Sequence, residues 1–265
     1  MNPMPEIESS LKKLRLHGMQ EKLQLRNKEA IASKLSFTEF LATLLQDELL
    51  QKDHRKFASS FKKAKIDGNK TLEQFDFGFN CKINQQQIKD IATCQFIAEK
   101  VPVLIVGPCG TGKSHLAQAI GHCAIRKGID VLFFTQTQLI KYIQTAKAVG
   151  DYDKKFQALI KVPLLIIDDF GLKPLRPPQD EDLHDLVSER YEKAATIVTS
   201  NLAFNEWGDA FPNKLLAVAT IDRLGHAAYK IVLEGSSYRS IGKPHKKDGR
   251  PPAENTPKND GLIYE

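Results

Sequence analysis

Residues 103–114 read Val-Leu-Ile-Val-Gly-Pro-Cys-Gly-Thr-Gly-Lys-Ser, an apolar run that passes directly into the pattern G-x-x-x-x-G-K-[ST]. Four consecutive apolar residues ending in a glycine suit a strand buried on both faces, as in a parallel sheet. In the loop Gly107, Pro108, Cys109, Gly110, Thr111, Gly112, Lys113 and Ser114, the glycines let successive backbone N–H groups converge on one concavity. His115 and the apolar residues after it predict a helix starting there, whose N-terminus adds the positive end of its dipole. Such a cradle suits phosphate groups. The Lys113 ammonium reaches the β and γ phosphates of a nucleoside triphosphate, and the Ser114 hydroxyl is a hard oxygen ligand for magnesium.

A triphosphate site needs a second anchor for its metal, and residues 164–169, Leu-Leu-Ile-Ile-Asp-Asp, supply a buried strand ending in paired acids. Ligands gather at the carboxyl ends of strands in an open parallel sheet, so both acids are expected to face the glycine loop. Asp168 is the expected magnesium holder and Asp169 the group that polarises the attacking water. Glutamate is commoner in the second place, and aspartate is one methylene shorter. Asn201, just past the apolar run 197–199, is expected to hold the γ-phosphate or the water, although asparagine is also a common turn residue.

Short apolar runs at 103–106, 131–134, 164–167, 197–199 and 230–233 alternate with helical stretches, which predicts a three-layer α/β domain with a five-stranded, largely parallel sheet. The first 65 or so residues read as helices instead. Ser36 and Glu39 form a capping box ahead of Phe37, Phe40, Leu41, Leu44, Leu45 and Leu49, an apolar stripe expected in the core of a small helical unit, and Gly18 is read as a helix interruption. Asp67, Gly68 and Asn69 break the pattern. These shifts divide the chain into a helical domain at 1–67, an α/β domain at 68–241 and a Pro- and Gly-rich flexible tail at 242–265.

Across 265 residues, 38 Lys and Arg against 32 Asp and Glu give a net charge of +6, a balance that favours polyanionic partners. Six cations, Lys52, Arg55, Lys56, Lys62, Lys63 and Lys65, concentrate it on one helix and form the candidate DNA contact, although such a run also suits a solvated face. No apolar stretch is long enough for a membrane span and the start lacks a signal-peptide pattern, so a cytoplasmic protein without a membrane partner is expected. Cys81, Cys94, Cys109 and Cys123 have no metal-site spacing.

Taken together, GPCGTGKS, LLIIDDFG, TIVTSN and Ile221-Asp222-Arg223-Leu224 resemble the AAA+ ATPases, in the branch of the DnaC helicase loader and the insertion-sequence transposition helper IstB. Leu14-Arg15-Leu16-His17-Gly18-Met19, Arg223-Leu224-Gly225-His226-Ala227 and Glu234-Gly235-Ser236-Ser237-Tyr238-Arg239 turn the resemblance toward IstB, over residues 8–240. It implies ATP hydrolysis with magnesium, an ATP-dependent homo-oligomer, double-stranded DNA and a cognate transposase as partners. It also implies that Arg223 is a finger supplied to a neighbour's nucleotide, and that Phe75 and Phe77 lie where related proteins clasp adenine. The chain departs from the broader family in leaving little length after Leu233 for a helical lid, with Arg239 the nearest candidate for a second sensor. Two alternatives stay open: a helicase loader on single-stranded DNA, and a nucleotide-gated binding module that does not hydrolyse ATP.

Overall fold

The computed structural model describes residues 4–79, 83–235 and 237–238. Cys81, Arg239 and the stretch 242–265 lie outside the described residues. The chain runs α1 (Met4–Lys13), α2 (His17–Ser33), α3 (Phe37–Ala64), α4 (Gln85–Ala92), α5 (Gln95–Ala98), β1 (Val103–Val106), α6 (Lys113–Arg126), β2 (Val131–Thr135), α7 (Gln136–Ala148), α8 (Tyr152–Lys161), β3 (Leu164–Phe170), α9 (Gln179–Arg190), β4 (Ala195–Ser200), α10 (Lys214–Gly225) and β5 (Tyr229–Val232).

Among the described residues the five strands form one sheet in the order β2-β3-β4-β1-β5, every pair parallel. This is the α/β architecture with a preceding helical region that the apolar runs predict. β1 and β4 are buried along their whole length, as central strands covered on both faces must be. β3 runs three residues beyond its apolar stretch, through Asp168 and Asp169 to Phe170, because hydroxyls on β4 satisfy the polar groups there. One apolar layer, including Leu116, Ile120 and Ile166, lies between the sheet and α6. The other holds Leu165, Ile167, Leu183, Leu186 and Trp207 on the opposite face.

The N-terminal helices depart from the sequence reading in two ways. Only Leu44 of the predicted stripe is buried among Leu11, Met19 and Leu23, with Phe40 half-buried against them. Phe37 is 94% exposed, and Leu41, Leu45 and Leu49 are also exposed. In this unit α2 covers one side of α3, with Leu11 of α1 joining the same cluster, so a stripe this wide cannot all face inward. Gly18 does not interrupt a helix but lies in the first turn of α2, while the break comes at Arg15, whose φ is +59°. A Cβ on Gly18 would lie 2.7 Å from both the Asp47 carbonyl oxygen and Glu48 Cα, so glycine is what lets α2 meet α3.

Polar side chains fasten that crossing. Buried Glu48 accepts hydrogen bonds from the N–H groups of Gly18, at 2.6 Å, and Met19, at 3.2 Å, which caps the start of α2 from another helix. Arg26 donates a fork to Asp47 at 2.7 and 2.9 Å. Burial pushes the Glu48 carboxyl up, but the two backbone donors and Lys52 outweigh it and hold the group below its ordinary value. Asp47 is held down chiefly by the Arg26 hydrogen bond.

α3 itself does not stop at the helical unit. The capping box at Ser36 and Glu39 starts it, and its last turns join the layer over the sheet, where Ala64 and Ile66 are buried. The expected division near residue 67 therefore falls at the end of a helix that touches both units.

Candidate functional site

The carboxyl edge of β1, β3 and β4 carries the polar cluster. Gly107, Gly110 and Gly112 all have positive φ, at +151°, +83° and +98°, so the loop before α6 takes a course side chains would obstruct. A Cβ on Gly107 would stand 2.1 Å from the carbonyl oxygen of Leu233, and one on Gly110 2.0 Å from Ser237 Oγ. Thr111 Oγ1 donates to the Pro108 carbonyl at 2.9 Å, closing the loop on itself. Lys113 is 5% exposed and donates to the carbonyls of Gly107 and Pro108, both at 2.7 Å. Cys109 is exposed at the rim.

Across the loop, Ser114 Oγ donates to Asp168 Oδ1 at 2.9 Å. The same carboxylate oxygen accepts from the Thr199 hydroxyl, whose oxygen in turn accepts the Asp169 N–H at 3.1 Å. One Asp168 oxygen thus accepts two hydroxyl donors. A hydroxyl and a carboxylate side by side, both hard oxygen donors, fit magnesium, which Ser114 and Asp168 would hold and which would supply positive charge beside a bound triphosphate. Among the described residues no group of three or more His, Cys, Asp or Glu could hold a metal, and such a two-ligand site does not need one.

Asp169 sits at φ +56°, an unusual conformation for a non-glycine residue and one that collects at functional sites. The turn lets it line the same cavity as Lys113, Ser114, Asn201, His115 and Phe75. Lys113, Ser114, Asp169 and Asn201 thus line one cavity, and Asp168 is buried behind it, hydrogen-bonded to Ser114.

One segment binds the length of α6. Starting at the helix's far end, Phe57 and Phe61 of α3 pack edge-on against His122, with ring centroids at 6.0 and 5.3 Å. Next, Ile66 reaches Gly121, where a Cβ would come within 2.7 Å of it, and the Asp67 N–H donates to Gln118 Oε1 at 3.0 Å. The Thr71 carbonyl accepts from His115 Nε2 at 2.9 Å, which fixes the proton on that nitrogen. Finally Phe75 lies over Gly112 and packs edge-on to His115 at 5.4 Å. His115, which also lines the cavity, is thus held by the connector, the segment between α3 and α4 that carries Thr71, Phe75 and Phe79. Phe77 does not line the cavity but packs toward Ile88 and Ala92, and Phe79 takes the cavity side instead.

Arg223 lies at the opposite edge of the sheet. Half-buried near the end of α10, it donates to the Ala219 carbonyl at 2.9 Å and lines a second cavity beside Pro102, Arg190 and Thr196, at the amino ends of β1 and β4. It is therefore not brought to its own chain's phosphate loop. Lys52, Arg55, Lys56, Lys62, Lys63 and Lys65 are all exposed, on the last three turns of α3 and its C-cap.

Sequence reasoning missed Thr199, Phe79 and Tyr238. Thr199 was visible only as a strand residue, although a hydroxyl directly ahead of Ser200 and Asn201 at a strand tip is a signal of its own.

A parallel sheet ordered β2-β3-β4-β1-β5, with a glycine-rich phosphate loop after β1, a carboxylate anchor at the β3 tip and β4 inserted between those two strands, defines an AAA+ ATPase. The chain belongs to the family of IstB-like ATP binding proteins, whose model matches residues 9–246. It is 34% identical to the ATP-binding protein of insertion sequence IS21 from Pseudomonas aeruginosa, across 98% of this chain and 97% of that one. It is 35% identical to the ATP-binding protein of insertion sequence IS5376 from Geobacillus stearothermophilus, across 86% of this chain and 90% of that one. The fold is similar to the DnaC helicase loader, with a TM-score of 0.54 and 21% identity over 63% of this chain and 97% of that one. It is also similar to the replication initiator DnaA bound to AMPPCP and single-stranded DNA, with a TM-score of 0.55 and 21% identity over 65% of this chain and 52% of that one. No helix among the described residues is long and apolar enough to cross a membrane.

Proposed function

We propose that this ATPase assembles as a homo-oligomer on double-stranded DNA and assists a cognate transposase in selecting its target during insertion-sequence transposition. The observation that carries the reading is the two-sided C-terminal half of α3. At about 100° per residue, Lys52, Arg55, Lys56, Lys62 and Lys63 fall within an arc of about 120°. Phe57, Phe61 and Ala64 occupy the opposite face, the face packed on α6 and the sheet. A solvent-exposed basic face, in which Lys52 also pairs with Glu48, backed directly onto the helix that begins at the ATP loop, supports DNA contact linked to hydrolysis. The relatives named for insertion sequences support a transposase as the partner. The division into a helical domain at 1–67 and an ATPase domain at 68–241 belongs to the same reading, with α3 passing between them.

In the reaction, water attacks the γ-phosphate and ADP leaves. Lys113 turns from the loop carbonyls to the β and γ phosphates, and Asp169 orients the water. Asn201 contacts the γ-phosphate, while Phe75 bounds the nucleotide on the connector side. Ser114 and Asp168 hold magnesium, which when bound neutralises charge between the β and γ phosphates. Arg223 of one subunit completes the site of the next, where a guanidinium is worth several orders of magnitude in rate.

ATP turnover and sedimentation, with no DNA, single-stranded DNA and duplex DNA at two salt concentrations, test the reading. Duplex-dependent, salt-sensitive assembly with ATP is expected. A response confined to single strands would replace it with the helicase-loader reading, and the absence of turnover under every condition would leave a nucleotide-gated binding module.

A further inference from the structure

Just past β5, Leu233 and Tyr238 are both bonded to the phosphate-loop side of the sheet. Leu233 N–H donates to the Val106 carbonyl at 2.8 Å, continuing the sheet pairing, and five residues later Tyr238 N–H donates to the Gly110 carbonyl at 3.0 Å. The approach is close enough that the phosphate loop must be glycine at both contacts, Gly107 against Leu233 and Gly110 against Ser237. This return brings Tyr238, half exposed, to the rim of the nucleotide cavity. There its ring meets Phe79 from the connector, centroids 4.9 Å apart and planes at 88°. The Phe79 backbone is fixed by Asp76, whose Oδ1 accepts the N–H groups of Gly78 at 2.9 Å and Phe79 at 3.2 Å.

We propose that Tyr238 and Phe79 form the corner of the cavity that receives the nucleoside base, so that the segment following β5 helps select nucleoside triphosphates over other polyphosphates. The inference rests on ATP occupying this cavity. Two perpendicular rings offer a face and an edge to a planar base, the arrangement aromatic groups favour. The two rings come from segments more than 150 residues apart, brought together by the pairing of β5 with β1 and the bond of Tyr238 to Gly110. Because the Tyr238 backbone is bonded to Gly110, the base wall and the phosphate cradle move as one piece. Tyr238 is a binding and positioning residue and takes no part in the chemistry.

The test measures competition by ATP, ADP and inorganic tripolyphosphate against a fluorescent ATP analogue, using the full chain. Tyr238→Ala is expected to weaken ATP and ADP about tenfold, the size of effect that removing one base–aromatic stack produces, while tripolyphosphate changes less than about twofold. Phe79→Ala is expected to do the same, and Tyr238→Phe to bind both like the wild type. Equal loss of ATP and tripolyphosphate in Tyr238→Ala would overturn the proposal, since the residue would then only prop the phosphate loop. Unchanged ATP affinity in both alanine variants would overturn it as well. Lys113→Ala serves as the control on the site itself: if it lowers neither ligand's affinity, the nucleotide assignment of the cavity fails independently of Tyr238.

Discussion

At the scale of single residues, two positions separate chemistry from architecture. Asp169 reaches the cavity through a left-handed backbone held by the Thr199 hydroxyl, and in the proposed reaction its carboxylate only orients the water. Asp169→Asn should therefore bind ATP normally while turnover falls about a hundredfold or more, as equilibrium binding and phosphate release would report. Arg190 is the reverse case. Buried at 2% exposure, it donates to the carbonyls of Leu159, Ile160, Val162 and Ala195 and to Thr196 Oγ1, with no carboxylate among these partners. Burial holds its guanidinium well below the usual arginine value, at about 9. It ties the end of α8 to the start of β4, and Arg190→Met should cost about 3 kcal/mol in a urea titration, because it strands several buried carbonyls. Nothing in the local sequence marks this role, since an arginine in the last turn of a helix reads as an exposed dipole partner.

At the scale of elements, the joint between α2 and α3 depends on charge. The folded-state value of Glu48 lies below its ordinary one, so its stabilisation is full above the ordinary carboxylate range and is lost as pH falls through the depressed value. Asp47 acts in the same direction. Hydrogen-exchange protection of the α2 amides should therefore collapse on acidification below that range, before the buried apolar sheet responds. Glu48→Ala should weaken the joint by about 2 kcal/mol at neutral pH and blunt the acid dependence. The helices, the capping box at Ser36 and the five strands were legible from periodicity and capping chemistry. The burial of α3 was not, because an apolar stripe reports an amphipathic helix and says nothing of how many neighbours exist to cover it. The strand tips were legible as acids and amides. Thr199 was hidden because a threonine among Ile, Val and Ser looks like an ordinary strand former.

At the scale of the whole molecule, Arg223 and the phosphate loop occupy opposite edges of one sheet, which suits a site completed between subunits. In mixtures, Arg223→Ala subunits should lower the turnover of wild-type partners beyond simple dilution. Strictly additive rates, measured across a mixing series, would remove the finger from the mechanism. The basic face of α3 makes a separate forecast. Replacing Lys62 and Lys63 with alanine should reduce the dependence of log affinity on log salt by about 1.8, about 0.9 for each DNA phosphate left without its lysine, with ATP affinity unchanged. Long-range pairings such as Phe79 with Tyr238 stay invisible in the sequence, since only the closed sheet brings segments that distant together.

A last consequence follows from the continuity of α3. A 28-residue helix rising about 1.5 Å per residue is a beam of roughly 42 Å, clamped near one end by Phe57, Phe61 and Ile66 against the helix that carries the phosphate loop. Its other end, packed on α2 through Leu44, Asp47 and Glu48, bears the exposed Phe37 and Leu41. From the seat at Phe61 to Phe37 the arm is about 36 Å, so a tilt of about 5° at the seat sweeps the tip through roughly 3 Å. That is nearly the width of a methyl group, enough to open or close a packing contact. Were α3, with α1 and α2 packed on it, to pivot as one body at that seat, a small displacement beside the loop helix would be enlarged at the far side of the protein.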